Sequence, residues 1–175
     1  MRLFPKYIPP ALMVTAIATI PFAVSAFDAQ KLEDFKTTNV CKYCDLTGAV
    51  LSAKDMKGAD FQNANLSNAN LKASDFSPRV MEKRTLSSSF ESANLRKADL
   101  SDTNLTGANL SNAYLRETLL DGSTLTDANL SSANLKNASL RNSSLKGANL
   151  DNAKLEDAVF CKTTMPDGTI NNSGC

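Results

Sequence analysis

Apolar side chains recur at every fifth position from Phe90 to Phe160. The series runs Phe90, Leu95, Leu100, Leu105, Leu110, Leu115, Leu120, Leu125, Leu130, Leu135, Leu140, Leu145, Leu150, Leu155 and Phe160. Two residues before each stands something small, with Ser or Thr at positions 88, 103, 118, 123 and 143 and Ala elsewhere. Neither regular element accommodates this period. A helix advances about 100° per residue, so a step of five scatters these side chains around its whole circumference. A strand alternates with period two, so an odd step sends successive leucines to opposite faces. The pattern predicts a chain that turns about a quarter circle per repeat, with every fifth side chain directed at one axis. Four repeats close a square coil of twenty residues, and coils stack at about 4.8 Å. An earlier run holds a different phase through Cys41, Leu46, Leu51, Met56, Phe61, Leu66, Leu71 and Phe76.

Repeats such as Ala108-Asn109-Leu110-Ser111-Asn112 and Ala128-Asn129-Leu130-Ser131-Ser132 resemble the consensus of the pentapeptide-repeat family. That resemblance covers roughly residues 41 to 170. It implies an all-β chain, a right-handed quadrilateral parallel β-helix, in which stacked neighbours supply the stability that one repeat lacks. Family membership fixes no reaction.

The flanks read differently. Arg2 and Lys6 precede an apolar run from Ile8 to Ala23, and Val24-Ser25-Ala26 offers small residues for cleavage. Residues 1–26 are therefore expected to be a signal peptide, and Pro9, Pro10 and Pro21 argue against a stable membrane span. Residues 27–40 lack the period. Asp28 can cap a short helix that places Leu32 and Phe35 on one face, so a short N-terminal helical cap over the first coil is expected. Repeats then fill 41–76 and 90–160. Lys54 breaks the small-residue rule, either by reaching outward or because its corner is bulged. Between the two runs, residues 77–89 are expected to be a surface loop or distorted coil, since the step from Phe76 to Phe90 falls one residue short of three whole repeats. Residues 161–175, with the turn signal Asp167-Gly168, read as a C-terminal cap. Caps at both ends point to a monomer, although sheet edges at the rod ends could support an end-to-end dimer.

Within the implied fold, the four cysteines fall at opposite ends of the rod. Cα atoms joined by a disulfide lie within about 7 Å. Pairing is therefore expected between Cys41 and Cys44 and between Cys161 and Cys175, in an exported chain where such bonds persist. The second closes a loop of about 15 residues, contributing about 3 kcal/mol in the chain-entropy account. Cys41-Lys42-Tyr43-Cys44 also admits a thiol redox role. The two pairs are too distant to share a zinc ion.

Candidate chemistry is sparse. The chain has no histidine, no Gly-rich phosphate loop and no nucleophile beside an evident base. No catalytic residue, cofactor or metal is assigned, and the reading is non-enzymatic. Aspartates such as Asp60 and Asp99 read as solvated repeat positions. Without residues 1–26, which carry Arg2 and Lys6 and no acid, the formal charge moves from +1 to −1. Near neutrality gives no electrostatic reason to expect nucleic acid.

What remains is the outer surface. The twenty-residue coil aligns Arg96, Arg116 and Lys136 in a column at about 4.8 Å spacing, with Tyr114 and Lys154 beside it and Glu117, Glu156 and Asp157 diluting it. This is the candidate interaction face, for an acidic protein or a surface glycan. Leu119 and Val159 form a smaller apolar candidate, and Asn109, Asn129 and Asn149 a candidate amide ladder. Three functional classes follow. The first is an interaction or structural module in the periplasm, at the cell surface or in a thylakoid lumen. A second is implied by the family, some of whose members mimic DNA and inhibit type II topoisomerases, although the charge and the leader speak against it. The third is a water-ordering Thr/Ser face at Thr106 and Thr126, a column that Lys146 ends.

Overall fold

The structure, a computed structural model, describes residues 35, 37–82 and 84–175. The expected signal peptide and most of the expected N-terminal cap lie outside them. Of that cap, Phe35, Thr37 and Thr38 have helical geometry, and the Asn39 N–H donates to the Phe35 carbonyl at 2.8 Å. Among the described residues, no helix is long and apolar enough to cross a membrane.

The chain is a right-handed quadrilateral β-helix. Single-residue parallel bridges join the coils in four columns, one of them running Val40, Asp60, Ser89, Asn109, Asn129 and Asn149. Five bridges per column make six coils, about 24 Å from first rung to last. The leucines point inward, and those from Leu95 to Leu130 are 0% exposed. Below the last coil, inward residues donate their N–H to the coil ahead, as Leu95 does to the Tyr114 carbonyl at 2.9 Å. Each bridging residue donates to the coil behind, as Tyr114 does to the Ala93 carbonyl at 2.9 Å. The backbone of every flat face is therefore satisfied along the rod.

Two local devices make each quarter turn. The residue two after the inward one adopts positive φ at twenty-two of the twenty-three corners from Cys41 to Phe160, as a type II turn requires at its third position. The residue before the inward one is often Asp or Asn, whose side-chain oxygen accepts the N–H two residues on, an Asx turn. Asp60 accepts from the Gln62 N–H at 3.1 Å and Asp99 from the Ser101 N–H at 2.9 Å. These aspartates are turn-forming acceptors rather than merely solvated positions.

The one corner without positive φ holds Pro78. Its ring locks φ at a negative value, so the quarter turn cannot close there and the chain leaves the coil. It forms an antiparallel hairpin of β1 (Arg79–Met81) and β2 (Arg84–Leu86). A bridge elsewhere joins residues one regular coil apart, as Asn109 to Asn129, whereas here Asp60 is joined to Ser89. The hairpin is thus a nine-residue insertion. The segment expected as a surface loop or distorted coil over 77–89 is an ordered hairpin, and Ser88 and Ser89 already belong to the next coil. Gly58 makes room beneath it: a Cβ there would lie 3.0 Å from the Arg79 Cβ and 3.1 Å from the Leu86 carbonyl oxygen. Inside the rod at this level, Phe76 meets Phe90 edge to face at 4.9 Å, and Phe61 stacks on Phe90 at 5.3 Å. Phe35 covers Phe61 at 5.0 Å.

The Lys54 corner is opened, not tight. Ser74, 2% exposed, inserts its hydroxyl, accepting from the Lys54 N–H at 3.2 Å and donating to the Leu51 carbonyl at 2.8 Å. Lys54 itself stays exposed.

At the C-terminal end, β3 (Thr163–Thr164) pairs antiparallel with β4 (Ile170–Asn171). The tail doubles back so that the Ser173 carbonyl accepts the Phe160 N–H at 3.0 Å, standing in for a seventh coil. Ile170 leaves the inward phase and is 57% exposed.

Candidate interaction face

Both disulfides occupy structural positions. Cys41 and Cys44, 2% and 3% exposed, are bonded across the first corner with Cα atoms 5.4 Å apart. They brace a turn whose third residue is the bulky Tyr43 at φ 58°. A redox cysteine needs an accessible, low-pKa thiolate, which a buried corner bridge does not offer. Cys161 and Cys175 are bonded with Cα atoms 4.8 Å apart and tie down the returning tail. Among the described residues there is no group of histidine, cysteine and carboxylate side chains arranged to hold a metal.

Two columns define the candidate face. Asn94, Tyr114, Asn134 and Lys154 follow one another through parallel bridges, and Arg96, Arg116 and Lys136 stand two residues further along each rung. Asx turns hold the two columns together: the Arg96 N–H donates to Asn94 Oδ1 at 3.1 Å and the Lys136 N–H to Asn134 Oδ1 at 3.2 Å. Between them runs an open groove of about 320 Å³ lined by Asn94, Arg96, Tyr114, Arg116 and Asn134. A second groove of about 240 Å³ continues it past Asn94 and Arg96 to Ser67, Asn68 and Lys97. Tyr114 is 57% exposed. Of the five residues expected here, Arg96, Tyr114 and Arg116 line the groove, while Lys136 and Lys154 lie on the next rungs without lining it.

The cations are not all open. Glu117 Oε1 lies 3.2 Å from Arg116 Nε and 3.5 Å from Arg96 Nη2, and Oε2 lies 3.5 Å from Lys97 Nζ. Partial burial pushes the Glu117 carboxyl up, but Lys97, Arg96 and Arg116 together outweigh it and hold it below its ordinary value. By sequence alone Glu117 reads as simple dilution and Lys97 goes unnoticed. The available signal is the corner column itself, where residues 97 and 117 stand twenty apart.

The lesser candidates fare less well. Leu119 is 45% exposed, but Val159 is half-buried and lies beneath the tail at Gly174, so the two do not make one apolar patch. In the expected amide ladder, Asn129 donates to Asn109 at 3.4 Å; Asn149 instead serves its own turn, accepting the Asp151 N–H at 2.8 Å. The longer ladder runs on the candidate face, from Asn94 to Asn65 at 3.2 Å and on to Asp45 at 3.3 Å. Thr126 and Ser144 hydroxyls approach to 3.5 Å beside the Thr106 column.

The family profile described as pentapeptide repeats matches residues 41–77, 88–122 and 123–160 in eight copies, leaving out the hairpin. The chain belongs to the pentapeptide-repeat family. Solved structures similar to it include the pentapeptide repeat protein Rfr23 from the cyanobacterium Cyanothece 51142, at 32% identity over 74% of this chain and 92% of that one, TM-score 0.42. A pentapeptide repeat protein from the Arabidopsis thaliana thylakoid lumen is 30% identical over 70% and 72% of the two chains, TM-score 0.38. QnrB1, a plasmid-mediated fluoroquinolone resistance protein, is 18% identical over 77% and 79%, TM-score 0.37. A comparison with curated proteins gives no match.

Proposed function

We propose that this protein is a non-enzymatic interaction module working in an exported compartment, and that it docks an acidic partner on the face of Arg96, Arg116 and Lys136. The observation that carries this reading is the groove that Arg96, Arg116 and Tyr114 line together. A rigid solenoid presents such a column on a backbone that need not reorder on binding, and charge complementarity confers specificity and association rate. The leader-like residues 1–26 and the two disulfides support the exported compartment. A near-neutral chain with a cationic column has the wrong sign for imitating a nucleic acid.

The test is crosslinking capture from the native exported fraction. It compares wild type with a variant in which Arg96, Arg116 and Lys136 are all replaced by Glu. An acidic partner held by wild type, lost with the variant and released by salt is the expected result. An unchanged set of captured partners refutes the assignment of this face.

A further inference from the structure

Building on that reading, we infer that the partner is an acidic polysaccharide whose sugar rings stack on Tyr114 while their carboxylates meet Arg96 and Arg116, and that Glu117 is a built-in competitor for the same guanidinium groups.

The groove floor separates a saccharide from a peptide. Its backbone groups are already spent between coils: Leu95 N–H on the Tyr114 carbonyl at 2.9 Å, Leu115 N–H on the Asn134 carbonyl at 2.8 Å, Tyr114 N–H on the Ala93 carbonyl at 2.9 Å. An extended peptide laid there gains no strand-to-strand bonds from the floor, so the main-chain pairing that gives a docked strand its affinity is missing. Spacing points the same way. Same-side residues of an extended chain repeat at about 6.8 Å, whereas the rungs repeat at about 4.8 Å, so successive acidic side chains fall out of step with Arg96, Arg116 and Lys136. A saccharide needs no main-chain pairing with the floor. Its hydroxyls suit the Asn134 amide, which lines the groove and whose oxygen accepts the Lys136 N–H, its apolar ring face suits an exposed tyrosine, and its carboxylate suits the planar guanidinium fork.

Glu117 sharpens the inference. Its carboxylate already sits where a ligand carboxylate would, touching Arg96 and Arg116 at 3.5 and 3.2 Å. Each guanidinium has five donors, so Glu117 occupies the pair without exhausting it. The face is thereby kept weak toward stray anions, and a ligand must bring a second contact, the Tyr114 ring, to compete.

The test is calorimetric titration of the purified, disulfide-bonded protein with three probes: an oligogalacturonate, its methyl ester and a polyglutamate of similar charge. The oligogalacturonate is expected to bind and the ester not. Tyr114→Ala is expected to weaken oligogalacturonate about fivefold with the melting temperature unchanged, and Glu117→Gln to tighten it. If polyglutamate binds as well as oligogalacturonate and Tyr114→Ala changes neither, the partner is an acidic protein; the saccharide inference falls while the proposed function stands. If neither acidic probe binds, even to Glu117→Gln, both fall.

Discussion

The ring of Pro78 lies against Gly107 in the next coil, where a Cβ would meet its Cγ at 3.4 Å. Gly107 and Gly58 are the two glycines at the corners above and below the one corner that fails to turn. Pro78 has no N–H to offer the coil above and cannot take positive φ, so at this level the coil wall is replaced by a hairpin root seated between two glycines.

Excision follows from that geometry. Deleting residues 79–87 and replacing Pro78 with Asn leaves Phe76-Ser77-Asn-Ser88-Ser89-Phe90, which restores the five-residue phase and supplies a corner residue that accepts positive φ. The shortened protein is expected to fold cooperatively with a melting temperature within a few degrees of wild type. Loss of cooperative melting would show that the hairpin is needed to hold the Phe61, Phe76 and Phe90 cluster.

Gly147 carries two constraints at once. It sits at φ 71°, and the Asp127 carboxylate of the coil below occupies the place of its missing Cβ. Gly147→Ala is expected to cost about 2–4 kcal/mol, of which about 1–2 is the left-handed backbone and the rest the overlap. Asp127→Ala removes the overlapping carboxylate and leaves a non-glycine residue at that corner, where φ is 56°. In a double-mutant cycle by urea denaturation the pair should show coupling of about 1 kcal/mol or more, and additivity would contradict the contact.

Inward leucines have little freedom to relax. Leu115, 0% exposed and held between coils on both sides, should cost about 3–5 kcal/mol when changed to Ala. Equilibrium unfolding against wild type measures it.

Acid should loosen the rod. Asp45 is held below its ordinary 3.8 by the Thr47 hydroxyl and N–H, and Asp167 by those of Thr169. Burial pushes Asp75 up, but Ser77 and Lys57 outweigh it and leave it depressed, and Glu117 is depressed below 4.5 by its three cations. A carboxyl whose folded pKa is lowered contributes stability that is present above its unfolded pKa and is lost as pH falls through the folded one. Melting temperature should therefore be flat above about pH 5 and fall below about pH 4. Glu117→Gln should flatten part of that decline.

The disulfides should differ toward reductant. Cys175 is exposed, whereas Cys41 and Cys44 are buried. Mild dithiol treatment followed by differential alkylation should label Cys161 and Cys175 first, since exchange depends on access. The tail from Ile170 should then exchange its amide hydrogens while the coils stay protected.

Much of this molecule is legible from periodicity. A five-residue step held from Phe90 to Phe160 excludes helix and strand, so coil size and inward residues follow from counting, and both cysteine pairings follow once the fold implied by the family resemblance puts the two pairs at opposite ends. The hairpin is marked too, although by sequence it reads only as a surface loop or distorted coil. Pro78 falls on the corner residue, and the interval from Phe76 to Phe90 divides into one repeat and a nine-residue insertion.

Counting in twenties aligns surface columns such as Arg96, Arg116 and Lys136, but it could not supply which of their side chains meet. Repeat phase is a property of each segment along the chain, whereas neighbours across coils depend on the register between segments. The insertion lengthens that register where Asp60 meets Ser89, so the partners that Asp60, Asn65, Asn70 and Asp75 find in the coil above depend on its length. Contacts made by long side chains and by the returning tail have no period at all. Glu117 joining Arg96, Lys97 and Arg116, Ser74 opening the Lys54 corner, and Gly174 covering Val159 exist only once the coils are stacked and the tail has folded back.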